Sequence, residues 1–189
     1  MISKYGVSWI RMCGEFERSG IPRECPPPPE GNFPDGKNLW IYGPPRTGKD
    51  LYVKWKFPRN FWRDSTNYRF WNGFRPKYHT HIYYEDLTRQ SFDKMGQDFW
   101  KPLLDPNSKY SGDIKFKNPI QNIRHPIIVT SNYHPGEMLH AMYGIELEKD
   151  AIVKRFRVVH INELLRSEGV KLNPDRIPNS KPEECFVPI

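Results

Sequence analysis

Apolar positions along this chain fall into short, dense runs separated by polar and proline-rich stretches. Three runs are nearly continuous: NLWIY from Asn38 to Tyr42, HIYYEDL from His81 to Leu87 and HPIIVTSN from His125 to Asn132. Short apolar runs without alternation mark strands buried on both faces, and each of these ends in polar or turn-forming residues. RVVHI, Arg157 to Ile161, is a further strand. Between the runs the spacing turns helical. GKDLYVKWK opens a helix that Pro58 halts. SFDKMGQDFWKPLLD, from Ser91 to Asp105, places apolar residues at helical intervals with Ser91 as N-cap. GEMLHAMYG and KDAIVKRF predict two shorter helices. SKYSGDIKFKNPIQNI alternates as a hairpin does, with Ser111-Gly112 near its turn. The stretch from Phe57 to Thr80 is aromatic, basic and without period. Strands alternating with helices predict an α/β fold, a mostly parallel sheet with helices on both faces.

The pattern also divides the chain. Residues 1 to about 20 are mildly amphipathic, and IPRECPPPPEGNFPDG over 21–36 breaks regular structure, so 1–36 is expected to be a helical segment plus linker. The main domain is expected over 37–165, and 166–189 is expected to be a C-terminal tail.

Composition narrows the partners. The 189 residues carry a formal net charge of +7, which points to a polyanion, most simply nucleic acid. Only 37% of residues are hydrophobic but 14% are aromatic, so large rings are expected to supply much of the buried area. The three cysteines are scattered without a CxxC pair, which fits a reducing interior rather than a disulfide framework or zinc site. No apolar run approaches a membrane span and the first residues carry no apolar signal core, so a soluble intracellular protein is expected.

Candidate chemistry begins at WIYGPPRTGKD. Gly43, Gly48 and Lys49 satisfy G-x-x-x-x-G-K, and the loop Gly43-Pro44-Pro45-Arg46-Thr47-Gly48-Lys49-Asp50 follows a strand and opens a helix. Glycines in such a loop let backbone N–H groups converge on phosphate oxygens, the helix N-terminus adds positive potential, and Lys49 would reach the β- and γ-phosphates. The run HIYYEDL delivers Glu85 and Asp86 at a strand's carboxyl end, where one acid would hold Mg²⁺ and the other orient or deprotonate a water. PIIVTSN ends in Asn132, a neutral amide able to hydrogen-bond both a γ-phosphate and a water.

The ordered series GPPRTGKD, IYYEDL, GDIKFKNPIQN and IIVTSN resembles the superfamily 3 helicase domain of replication initiator (Rep) proteins from circular single-stranded DNA viruses, in the circovirus-like and geminivirus-like branches. The resemblance spans about residues 37–162. It implies a P-loop NTPase with an AAA+-like sheet, ATP and Mg²⁺ as cofactors, single-stranded DNA as partner, a homo-oligomeric ring expected to be hexameric, and residence in a host nucleus. By position, Lys49 is similar to the family's phosphate-loop lysine, Glu85 and Asp86 to its acidic pair, and Asn132 to its sensor asparagine. Lys115 and Lys117 fall in the hairpin that contacts DNA in the ring channel, with Lys109 a further phosphate contact on its approach. Arg155 stands where the family places an arginine finger that reaches a neighbouring subunit's site.

Two features depart from that family. Asp50 replaces the hydroxyl that normally ligates magnesium. A carboxylate is a hard ligand, so Asp50 together with Glu85 is the expected metal pair; Thr47 or a water taking that place, with Asp50 capping the helix, is the alternative. No site of the family's N-terminal HUH endonuclease is expected in this chain. YHTH at 78–81 lacks its pattern and directly precedes the acidic strand, so nicking is expected from a fused or separate polypeptide. Two other classes share the loop: a P-loop small-molecule kinase, and a non-hydrolysing nucleic-acid-binding regulator.

Overall fold

The computed structural model describes residues 38–63, 68–105, 108, 110–143, 151–177 and 180–189. The expected N-terminal helix and linker over 1–36 and the candidate Lys109 lie outside these residues. Five strands form one wholly parallel sheet: β1 (Asn38–Tyr42), β2 (Asn60–Arg63), β3 (His81–Tyr84), β6 (Ile127–Ser131) and β7 (Phe156–His160), in the order β2-β3-β6-β1-β7. Register is continuous from Ile82↔Ile127 through Leu39↔Ile128 to Leu39↔Arg157. The three expected apolar runs are the three inner strands, and every residue of β3 and β6 is buried.

Alternation along these strands splits the core into two layers. Trp40, Ile82, Tyr84, Ile127, Val129 and Phe156 face one side. There they pack on α2 (Arg89–Met95), α3 (Gln97–Leu104) and α4 (Pro135–Tyr143) through Phe92, Trp100, Leu104 and Leu139. Leu39, Ile41, Tyr83 and Ile128 face the other side, against α1 (Lys49–Lys56) and α5 (Ile161–Ser167) through Tyr52, Val53, Leu164 and Leu165. Helices therefore cover both faces, as a sheet buried on both sides requires.

Local corrections have local causes. The helix expected from Ser91 to Asp105 is two helices, because Gly96 takes φ 73° and ends the first. Its N-cap is Thr88, whose hydroxyl accepts from the Ser91 N–H at 3.2 Å; Ser91 is already inside the helix. The hairpin pairs β4 (Gly112–Ile114) with β5 (Lys117–Ile120), so its turn is Lys115-Phe116 rather than Ser111-Gly112. Gly112 instead lies flat under the Trp71 indole, where a Cβ would come within 2.4 Å. Part of the segment without period is the edge strand β2, and Phe61, Trp71 and Phe74 from it join the core. Buried Arg63 donates to the carbonyls of Tyr68 and Phe70 and lies 4.3 Å over Trp71, which is how a segment this basic folds inward.

Residues 166–189, expected as a tail, complete α5 and then pack. β8 (Val170–Leu172) and β9 (Phe186–Pro188) form an antiparallel pair, with 3₁₀ turns at Pro174–Arg176 and Pro182–Cys185. Cys185 and Phe186 are buried against α1, Phe186 stacks on Trp55 at 4.9 Å, and Glu168 binds Tyr52 and Lys56. Helix α1 is thus clamped by Glu168, Cys185 and Phe186.

Candidate functional site

In a parallel sheet, ligands bind beyond the strands' carboxyl ends. Because β6 lies between β1 and β3, the loop after β1, the acids after β3 and Asn132 after β6 open side by side. Backbone bonds stitch these exits together: Gly43 N–H donates to the Ser131 carbonyl at 3.3 Å and Leu87 N–H to the Thr130 carbonyl at 2.7 Å.

The loop has an anion-binding shape. Arg46 and Gly48 both take left-handed backbone angles, φ 63° and 84°, between residues of ordinary hand, a pattern that turns successive N–H groups into one concavity. Gly43 is required by proximity, since a Cβ there would lie 2.8 Å from Ile161 and 3.2 Å from His160 Nε2. Thr47 Oγ1 donates to the Pro44 carbonyl at 2.8 Å and closes the loop on itself. Pro44, Pro45 and Arg46 are exposed.

Lys49 is the hub. Its side chain turns back under the loop, and the residue is only 5% exposed. Nζ donates to the carbonyls of Gly43 and Pro44, each at 2.9 Å, and to Asn132 Oδ1 at 3.0 Å. Burial lowers its pKa, while the charges of Asp50 and Asp86 act in the opposite direction. Asn132 Nδ2 reaches on to Asp86 Oδ1 at 3.3 Å, so Lys49, Asn132 and Asp86 form a chain across three strand ends.

The two acids divide. Asp86 is exposed on the side of the loop, held at φ 45°. Glu85 turns toward the sheet edge, where Oε1 accepts from Lys54 Nζ at 3.0 Å and Oε2 from Trp62 Nε1 at 2.6 Å. Asp50 and Glu85, the expected metal pair, have separate partners. Asp50 Oδ1 accepts from Tyr83 Oη and from Thr130 Oγ1, both at 2.7 Å. The alternative of Asp50 as a helix cap is not what this carboxylate does either. Among the described residues no group of three His, Cys, Asp or Glu is gathered to hold a metal. One carboxylate, Asp86, remains beside the loop, which suits a cation carried largely by nucleotide phosphates.

Other expected residues lie elsewhere. Lys115 and Lys117 flank the hairpin tip, and between them Phe116 is fully exposed at φ 61°. Sequence reading missed Phe116; an aromatic centred between two lysines at a hairpin turn was the available signal. Arg155 sits at the opposite, amino-terminal end of β7, where it donates to the Ala151 carbonyl at 2.7 Å and approaches Asp105 at 3.9 Å. It does not meet this chain's own loop. His79 is buried and stacked on Phe74, and burial with the neighbouring His125 and Arg75 lowers its pKa to about 4.

No helix among the described residues is long and apolar enough to cross a membrane. No protein-family model matches the chain, and no curated protein matches it. The fold and site define an α/β protein with a five-stranded parallel sheet, flanked by helices, carrying a glycine-rich loop at a strand-to-helix turn.

Proposed function

We propose that this protein is a P-loop ATPase that works as a single-stranded DNA motor, in the manner of the superfamily 3 helicase domains of viral replication initiators. The observation that carries the reading is Lys49. A buried ammonium bonded to two loop carbonyls and to Asn132 is a cation held ready for phosphate oxygens, because an anionic ligand can replace neutral carbonyl partners at a gain in Coulomb energy.

In the proposed reaction, backbone N–H groups of the loop bind and orient the phosphates, and Lys49 moves from the carbonyls to the β- and γ-phosphate oxygens. Mg²⁺ bound with the nucleotide would supply charge neutralisation at the phosphates. Asp86 would hold that ion, and Asn132 would orient the γ-phosphate and the attacking water. Glu85 takes the water's proton once it leaves Lys54 and Trp62. Arg155, remote from its own loop, would serve a neighbouring copy's site in a ring. The hairpin would carry the motion to DNA: Lys115 and Lys117 as phosphate contacts and Phe116 as a face on which a base stacks.

Phosphate release with and without single-stranded DNA, compared with Lys49→Ala, tests the reading. DNA-stimulated hydrolysis that the substitution abolishes supports it. Transfer to a small acceptor would instead establish a kinase, and DNA binding without turnover would establish a regulator.

A further inference from the structure

Asp50 is the residue at which this chain leaves the usual pattern, and its surroundings give it a different task. Tyr83 on β3 and Thr130 on β6 are each fully buried, and their hydroxyls converge on Asp50 Oδ1 at 2.7 Å. Two buried O–H donors need an acceptor, and a carboxylate oxygen accepts both in charge-assisted bonds. A threonine at position 50 would offer a shorter, neutral side chain. With both hydroxyl protons directed at Asp50, the lone pairs of Thr130 Oγ1 are left to accept, and the Asp86 backbone N–H donates to it at 3.0 Å. Asp86 occupies the left-handed region, a conformation that costs a non-glycine residue energy and persists only where its surroundings hold it.

We infer that Asp50 is a positioning residue rather than a magnesium ligand: through Thr130, and braced by Tyr83, it holds the Asp86 backbone in the left-handed conformation that sets the Asp86 carboxylate beside Asn132 and Lys49. The consequence for catalysis rests on the proposed ATPase reading; the hydrogen-bond relay itself does not. The two O–H donors stabilise the Asp50 carboxylate inside the fold, while its charge still acts on Lys49. The relay runs through three segments of the chain, so Asp50, Tyr83 and Thr130 act as a set.

Two readouts test it separately. Amide hydrogen exchange at Asp86 is measured in Thr130→Val, Thr130→Ser and Tyr83→Phe, beside each variant's melting temperature. Thr130→Val is expected to speed Asp86 exchange by about tenfold or more, and Thr130→Ser to restore it, because only the hydroxyl is restored. Exchange in Thr130→Val equal to wild type overturns the relay, whatever the protein's activity. If Thr130→Val fails to fold, Tyr83→Phe decides in its place: faster Asp86 exchange supports the relay and no change overturns it.

Steady-state hydrolysis provides the second readout. Thr130→Val is expected to lower kcat by about tenfold or more while KM for ATP stays within about threefold. Asp50→Asn keeps an oxygen acceptor for both hydroxyls, so the Mg²⁺ concentration for half-maximal nucleotide binding is expected to stay within about threefold. A rise of about tenfold or more would make Asp50 a metal ligand and overturn the inference. A wild-type protein that neither binds nor hydrolyses ATP would refute the proposed function instead, with the exchange result still deciding the relay.

Discussion

His79 makes acid stability a quantitative test of the packing on the non-loop end of the sheet. Its ring stacks on Phe74 with an interplanar angle of 11°, and Nδ1 accepts the Arg75 N–H at 2.9 Å, an arrangement that uses the neutral imidazole. Burial, followed by the neighbouring His125 and Arg75, lowers the pKa from 6.5 to about 4. A depressed folded-state value means that the unfolded chain binds the proton first as pH falls. The stabilising contribution is therefore complete above about pH 6.5 and is lost progressively as pH falls toward 4. Between those limits the slope approaches one proton, about 1.4 kcal/mol per pH unit, so lowering pH from 7 to 5 removes about 2 kcal/mol. Urea unfolding at a series of pH values measures it, with His79→Asn as the reference because Asn can still accept the Arg75 N–H. The variant is less stable throughout, having lost the stacked ring, but its curve against pH should be flatter by that slope. Parallel curves for the two proteins would refute the argument, because other titrating groups are common to both.

The other predictions concern the loop, the hairpin and one close approach. Gly48→Ala places a Cβ at φ 84° and 3.0 Å from two Leu172 methyl groups, so it should lower stability by about 1–2 kcal/mol in chemical denaturation. Leu172→Ala in the same chain should relieve only the contact, leaving most of that loss. Gly112→Ala drives a Cβ into Trp71 and should cost about 1–3 kcal/mol by the same assay, with the Trp71 fluorescence shifted. Phe116→Ala should weaken single-stranded DNA binding by about 1–3 kcal/mol at unchanged salt dependence, whereas Lys115→Ala should reduce the salt slope by about 0.7. Fluorescence anisotropy across a salt series separates the two effects, and equal behaviour of both variants would remove the hairpin from the DNA-binding reading.

Reading the chain from residues alone was most successful where the signal was local. NLWIY, HIYY and IIVTS are apolar on both faces, as inner strands of a parallel sheet are, and they form its three inner strands. The loop between β1 and α1 was legible as a strand-to-helix turn because its signal lies in neighbours in sequence, glycines at fixed offsets before a helix. Asn132 and Asp86 were legible as residues leaving strand ends. Gly96 and the Lys115-Phe116 turn were misread because backbone hand at one residue, φ 73° and φ 61°, decided where an element stopped, and the apolar pattern is silent about that. The end of the chain looked like a tail because its apolar residues are few; their partners, Tyr52 and Trp55, lie more than a hundred residues away.

By itself the sequence determined an α/β chain, its inner strands and a glycine-containing turn from strand to helix, since each follows from periodicity or from adjacent residues. Only the tertiary structure decided which partners the acids have. Strand order put β6 between β1 and β3, and this brought Asn132 between Lys49 and Asp86. Alternation then set Tyr83 and Thr130 on the face of the sheet that carries Asp50, while Glu85, just past β3, meets Lys54 and Trp62. A carboxylate's hydrogen bonding depends on which donors reach it, and the Tyr83 and Thr130 hydroxyls from two strands converge on Asp50 only once the sheet has formed.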